Sequence, residues 1–408
     1  TLTYWEYNNG SYLDNLFFRK YRLINKSDVP FNDMYISMWS DPDVGNAGDD
    51  YVGCDTTLNI VYAYNAYDHD AIYYTYPPPA VGFDLLQGPN NQSNQSLDMT
   101  AAYYFTSSDP SLDDPVQGSF SEGAVRFYRF MQGLNPLTGE PFVDPTTGFP
   151  THYALNGDPL TGEGWIDGLQ YRPGDRRVGL ASGPFNMAVG DTQEVVIAEI
   201  AAIGFDRLYA YKILKYYDVL AQTDFDSGLE SISSLPPSTD APNTTTTKIE
   251  WNIKLNWGFD APSVSSIENF NQERYEFQGY NVYQLASPLP IRENAVRVAT
   301  FDKVDGVKGI EGIVMDPETG LPVNGIQQNG SDSGIERTFL TNHDYIEDTS
   351  MKIGKKYYFA VTAYTYNSDL QANPNNSESL LEVIEVDYYD NIGGTSYGDS
   401  IQVIHSQG

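Results

Sequence analysis

One cysteine, Cys54, is the only thiol in the chain. No intrachain disulfide can form, and cysteine-based zinc sites are excluded. Set between Val52-Gly53 and Asp55, with no histidine near it, Cys54 reads as a small buried hydrophobe rather than a nucleophile. A lone cysteine suits a bacterial exported protein that avoids unpaired thiols, and it leaves a cytosolic protein open. Histidine is also scarce: His69, His152, His343 and His405 are the four, and none stands at metal-ligand spacing from another. The chain has no His-Glu-x-x-His, no Gly-x-Ser-x-Gly and no phosphate loop. "DGVKGIEG" (305–312) carries glycines but lacks the Lys-Ser/Thr ending, so it is read as a loop. No stretch of 18 apolar residues exists, so no helical membrane insertion is expected. Basic residues are few, 23 against 55 acidic, for a net charge of −32. Such a surface repels phosphate backbones and anionic lipid, so nucleic acid is not an expected partner. The acidity either serves solubility alone or suits divalent cations. Carboxylate pairs are too common here for spacing to single out a glycosidase pair. With no catalytic spacing recognisable, the chain reads as non-enzymatic.

What is abundant is aromatic and turn-forming. Aromatics make up 14% of the residues, with 32 Tyr and 19 Phe, alongside 35 Gly and 24 Pro. Short alternating runs between Gly, Pro and Asp turns indicate antiparallel strands. They include 17–27, 33–40, 57–65, 123–131, 176–189 and 192–203, then 275–284, 297–304, 355–367 and 380–389. The expected fold class is all-β, as tandem antiparallel β-sandwiches. One segment differs. "FDRLYAYKILKYYDVLAQTDFD" (205–226) places Leu208, Tyr211, Leu214, Lys215 and Val219 at helical spacing, with Asp206 as a cap and Gly228 beyond its end. The domain plan is an N-terminal sandwich over 1–232 carrying that helix, a Pro/Thr-rich linker over 233–248, a second sandwich over 249–390 with a long insertion, and a tail over 391–408.

Four turns share Asn/Asp-Pro-x-Thr-Gly: "NPLTGEP" (135–141), "DPTTGFP" (144–150), "DPLTGEG" (158–164) and "DPETGLP" (316–322). The acid or amide oxygen caps the turn, proline fixes φ, and glycine closes it at positive φ. Three lie close together, so 132–170 is expected to be a turn-built surface loop.

The densest acidic stretch is "SMWSDPDVGNAGDDYVGCDTT" (37–57), which contains no Lys or Arg. Asp41, Asp43, Asn46, Asp49 and Asp50 offer five hard side-chain oxygens on a loop that Gly45 and Gly48 allow to fold back. Calcium accepts six to eight such oxygens, so calcium is the expected ion and these five residues its candidate ligands. The spacing is not that of an EF-hand, because the closing glutamate is missing. The alternative is a solvated acidic hairpin whose carboxylates splay apart. A second candidate surface is the tyrosine cluster of 60–86, Tyr62, Tyr64, Tyr67, Tyr73, Tyr74 and Tyr76, which either stacks on sugars or on another copy, or is half-buried in the sandwich.

The C-terminal part resembles a fibronectin type III domain. Trp257 in "IKLNW" stands where that family has its strand-B core tryptophan, "YNVYQ" (280–284) matches strand C, "GKKYYFAVTAYTYN" (354–367) strand F, and "LLEVIEV" strand G. The segment 286–350 is much longer than the family's link between strands C and F. Over most of its length the chain also resembles large secreted proteins of Bacteroidetes and their relatives. The stretches that carry this are "WSDPDVGNAGDDYVGCDTT", "PPAVGFDLLQGP" (78–89), "PGDRRVGLASGPFNMAVGDTQEVVIAEI" (173–200) and "YEFQGYNVYQ" with "VATFDKVDG" (298–306). That resemblance implies an extracellular or cell-surface protein carried by type IX secretion, and the opening "TLTYWEYNNG" reads as a processed or trimmed start. The functional expectation is a structural or adhesive surface protein, a coat or filament subunit. Its expected partners are further copies of itself, other surface proteins, or glycans. The rival is a carbohydrate-binding or accessory module of a secreted hydrolase.

Overall fold

The structure, a computed structural model, describes residues 1–7, 11–70, 72, 77–116, 118, 120–228, 237–369 and 374–388. The expected tail over 391–408, the first part of the expected linker, His405, Tyr73, Tyr74 and Tyr76 lie outside the described residues. The chain divides into two compact units, Thr1–Glu230 with Asp316–Leu321, and Ser231–Met315 with Pro322–Gly408.

In the first unit the strands are β1 (Leu2–Glu6), β2 (Leu16–Ile24), β3 (Phe31–Ser40), β4 (Asp50–Asp55), β5 (Ile60–Asn65), β6 (Pro79–Gln87), β7 (Ala101–Thr106), β8 (Phe142–Val143), β9 (Pro150–Thr151), β10 (Arg176–Met187) and β11 (Thr192–Ile203). A six-stranded sheet of order β1-β2-β11-β6-β5-β4 and a three-stranded sheet of order β3-β10-β7, both antiparallel, share one core. This unit is therefore one sandwich rather than two. Alternation puts Val195 and Ile197 of β11 into that core with Leu85, Tyr104 and Leu180. The neighbouring residues Val196, Ala198 and Ile200 are buried as well, because helix α2 (Arg207–Asp226) covers the other face. All six residues of β5 are buried for the same reason.

Helix α2 falls where its periodicity predicts. Asp206 accepts from the amides of Leu208 and Tyr209 at 2.9 and 2.8 Å, capping two otherwise unpaired donors. Ala210, Ile213, Leu214, Tyr217 and Ala221 form its buried stripe. Two further helices correct the sequence reading. "GAVRFYRFM" (123–131), expected as a strand, is helix α1 (Gly123–Met131). Its short apolar run fits both periods, and Phe127 and Phe130, three apart, decide for the helix by packing on Phe105 of β7 with ring centres at 6.2 and 4.8 Å. Helix α3 (Ala261–Glu268) starts at Asp260, which accepts from the Ser263 amide, and has proline in its first turn. It buries only Ile267, too little to leave an amphipathic pattern.

The four Asn/Asp-Pro-x-Thr-Gly turns form as read. In each, the glycine amide donates to the carbonyl of the Asn or Asp four residues back, at 2.8–2.9 Å. The glycines, Gly139, Gly148, Gly162 and Gly320, sit at φ of 71–78°, where a Cβ is disfavoured. The segment 132–170 is nevertheless not a simple surface loop. Phe142, Leu155 and Trp165 belong to the core, and the Leu155 carbonyl accepts from the Cys54 amide at 3.0 Å. Its far end is fixed by a buried ion pair. Arg176 Nε lies 2.9 Å from Asp167 Oδ2, which also accepts from the Val52 amide, while a second guanidinium nitrogen reaches Thr106 Oγ1.

The second unit contains β12 (Thr245–Ile249), β13 (Asn252–Asn256), β14 (Asn271–Gln272), β15 (Tyr275–Leu285), β16 (Ala295–Asp302), β17 (Gly309–Met315), β18 (Pro322–Asn329), β19 (Thr338–Thr341), β20 (His343–Asp344), β21 (Thr349–Ser350), β22 (Lys355–Tyr366), β23 (Asn376–Glu378) and β24 (Ile384–Tyr388). The linker expected over 233–248 therefore ends earlier: its threonines, β-branched and with Thr246 buried, begin β12. Sheet β12-β13-β19 packs on a second sheet in which β16 and β22 flank β15, and β24 pairs with β22. Trp257, Tyr280, Val282, Phe359 and Val386 meet between them. The long insertion holds the β17–β18 hairpin. Outside the core, Glu378 accepts from Asn281, Tyr283 and Thr362 and pairs with Arg292 at 2.6 Å. Burial opposes its ionisation, but Arg292 and these donors outweigh it and hold the carboxyl below its usual range.

Removing one partner of a buried pair leaves an uncompensated charge. Asp167→Ala should lower the unfolding free energy of the first unit by about 3–5 kcal/mol in urea denaturation. A loss below about 1 kcal/mol, the range of an exposed pair, would show that the bridge does not hold this region.

Candidate functional site

The acidic loop leaves β3 at Ser40 and enters β4 at Asp50, and the fold divides its five candidate ligands into two sets. Asp41 and Asp43 meet Asp175, with one carboxylate oxygen of each within 4.8 Å of the others, on the exposed side of the loop. Asn46 caps the single turn Ala47–Asp49, its Oδ1 accepting from the Gly48 amide. Asp49 Oδ1 accepts from Asn65 Nδ2 at 3.4 Å. Asp50 turns inward and is 1% exposed; its Oδ2 accepts from the Val44 amide, and its Oδ1 is buried without a hydrogen-bond partner. Burial, with Asp49, Asp43 and Asp70 nearby, pushes its carboxyl up to about 8. Asp70, which sequence reasoning missed, accepts from the Asn46 amide and from Asn65 Nδ2, both at 2.9 Å. Among the described residues the trio Asp41, Asp43 and Asp175 is the one acidic group with metal-ligand proximity, and Asp49 and Asp50 are not in it.

A cation from a distant strand already serves the exposed set. Arg177 Nε lies 3.1 Å from Asp41 Oδ2 and 3.4 Å from Asp114 Oδ2, and its NH1 lies 3.4 Å from Asp175 Oδ1. The dipeptide Arg176-Arg177 illustrates the strand period: one guanidinium is buried on Asp167, and the next faces out to the acids. A divalent ion at the trio would compete with this guanidinium for oxygens of Asp41 and Asp175.

Under α2 lies a different acidic pair. Asp84 of β6 and Asp218 of α2 are 0% and 1% exposed, and three of their four carboxylate oxygens have no donor other than the facing carboxyl. Burial first raises both far above the carboxylate range; the charges of Asp218 and Asp226 add to it for Asp84, and that of Asp55 for Asp218. Their mutual hydrogen bond opposes ionisation of Asp84 and favours that of Asp218, which also faces Lys215. Both carboxyls are pushed upward, so the pair as a unit retains a proton well above the usual carboxylate range. Lys215 Nζ stands 3.3 Å from Asp55 and 3.8 Å from Asp158. So sealed, the pair has no route to a substrate, and its chemistry is structural.

Of the histidines, His152 Nδ1 lies 2.8 Å from the Gln132 carbonyl, and His343 pairs with the exposed Asp348. Tyr62 and Tyr64 are buried, Tyr62 against Tyr211 with ring centres 4.4 Å apart, so neither offers a platform; Tyr67 is exposed. Nothing local in the sequence marks Asp84, Asp70 or Asp175 as members of a cluster. No family model, curated protein or solved structure matches the chain.

Two outcomes follow from this geometry. The folded Asp84–Asp218 pair keeps a proton that the unfolded chain releases above about pH 4. Its contribution to stability is thus greatest at low pH and falls as pH rises toward the raised folded value, by up to about 1.4 kcal/mol per pH unit for one proton. Asp84→Asn keeps a donor for Asp218 and removes that titration. The variant should gain on the wild type between pH 4 and 8 in unfolding free energy, and parallel pH profiles would contradict the assignment. For the exposed set, Arg177→Gln should give a larger calcium-induced rise in Tm than the wild type shows. An equal shift in both would mean that Arg177 does not guard the trio.

Proposed function

We propose that the chain is a secreted, non-enzymatic structural or adhesive protein of the cell surface, a subunit that associates with its own copies or with other surface proteins, with calcium as the ion at its acidic loop. The observation that carries this reading is the open edge of the six-stranded sheet. Strand β1 has no partner on its outer side among the described residues, and Leu2 and Tyr4 on it are 51% and 66% exposed. An edge strand with exposed apolar residues is a template for strand addition by another chain. Two features add support. The strand order of the second unit, β12-β13-β19 facing β16-β15-β22-β24, fits the fibronectin type III resemblance on which the extracellular reading rests. The most strongly perturbed carboxyls, Asp84 and Asp218, are consumed by packing rather than presented in a cleft.

Copies of net charge −32 repel one another, so association needs screening or a bridging cation. Sedimentation velocity and negative-stain microscopy with and without millimolar CaCl2 test the reading. Larger species or fibres that depend on calcium and are lost on Tyr4→Lys are expected; a monomer under every condition, at high protein concentration, would contradict it.

A further inference from the structure

The sheet that carries the open edge also carries a row of alternating acids and aromatics. Glu6 of β1 pairs with Phe17 of β2, Phe17 with Glu199 of β11, and Glu199 with Phe83 of β6. Directly paired residues of neighbouring strands share a face at about 5 Å. Carboxylate and phenyl therefore stand side by side across four strands: Glu6, Phe17, Glu199, Phe83. Along β11 the same face carries Val195 and Ile197, which belong to the core, as does Phe83 at the inner end of the row, so the row runs from the core's rim outward to Glu6. The row borders a cleft of about 480 Å³ that Asp14 and Asp43 also line, and no Lys or Arg lines it. That volume suits a small ligand or a single long side chain.

One cation shows how the row receives charge. The guanidinium of Arg19 rests 5.6 Å from the centre of the Phe17 ring and 2.7 Å from Glu199 Oε1. A carboxylate beside a ring face is the geometry that holds an organic cation through both its charge and its apolar stem. Glu6 and Asp43 form no ion pair among the described residues, so the cleft keeps acidic capacity beyond what Arg19 takes. A metal ion fits poorly, since half of the row is hydrocarbon and calcium requires six or more oxygens.

We propose that this cleft binds an organic cation, a primary ammonium or guanidinium on an aliphatic stem. The ammonium or guanidinium sits among Glu6, Asp43 and Glu199, and the stem lies along Phe17 and Phe83. The chemistry is shared by a free diamine and by a Lys or Arg side chain of a peptide. The site does not rest on the surface role proposed above; Asp43 is shared with the acidic loop, so Glu6→Gln, which leaves that loop intact, tells the failure of one reading from that of the other.

Isothermal titration of the full chain with cadaverine, with an acetylated Lys-Arg dipeptide amide and with neutral pentanol separates the possibilities. At least one of the two cations should bind, and which one binds assigns the source: cadaverine alone a free diamine, the dipeptide alone a peptide side chain. Affinity should fall about tenfold in Glu6→Gln/Asp43→Asn, two ion pairs of the exposed kind, and should fall again at high salt. Phe17→Leu should weaken binding while leaving its salt dependence in place. Should the double variant melt early, Glu6→Gln alone is read instead, with about a threefold loss expected. The proposal is overturned if neither cation binds at about 10 mM, if pentanol binds as well as the cations, or if a variant with the wild-type Tm binds them unchanged.

Discussion

The middle of the six-stranded sheet, β5, β6 and β11, is covered on both faces, and most of what is unusual in the first unit follows from that. One face meets the three-stranded sheet and the other meets α2, so β5, β6 and β11 have no wet side along much of their length. Any polar side chain on them must find its partner inside the protein. Asp84 faces α2 and meets Asp218, with Asp226 adding its charge, so the pair is driven to retain a proton. Tyr62 meets Tyr211 and donates to the Gly157 carbonyl at 3.2 Å. Lys215, buried on the helix, is answered by Asp55, the last residue of β4, and by Asp158 of the turn 158–164. The helix is thus tied to the sheet by apolar burial and by a polar seam that depends on one proton.

A chain of charge −32 also has to neutralise the acids it buries. Asp167 is answered by Arg176, Glu378 by Arg292, and the Asp84–Asp218 pair by a retained proton. Outside, Arg177 gathers Asp41, Asp114 and Asp175, residues that the sequence keeps far apart. Glu6 and Asp43, which have no ion pair among the described residues, both line the cleft beside the Glu6–Glu199 row. Ligands of opposite charge meet the least competition there.

Much of the architecture was legible because its signals are local. The period-two run 192–203 is β11, and the four Asn/Asp-Pro-x-Thr-Gly turns close through the side-chain and glycine geometry their residues dictate. Helix α2 announced itself by a long apolar stripe and a capping aspartate. Helix α1 did not, because nine residues of mixed aromatic and basic character satisfy both periods until the partner Phe105 is in place. The candidate site was legible only in part. Five neighbouring oxygen donors were visible, but β4 starts at Asp50, which turns its side chain inward, while Asp41 and Asp43 stay outside with Asp175. That division, and the pairing of Phe17 with Glu199 and of Asp84 with Asp218, is set by register and by helix placement. Neither is written within any one segment.

The claim that a doubly covered sheet forces the Asp84–Asp218 pair to keep a proton is tested most directly by following the carboxyl 13C shifts of both residues from pH 3 to pH 9. The account predicts that the pair stays protonated through neutral pH, with no more than one of the two carboxyls ionising below pH 7. Two independent titrations near pH 4, like those of solvated aspartates, would contradict it.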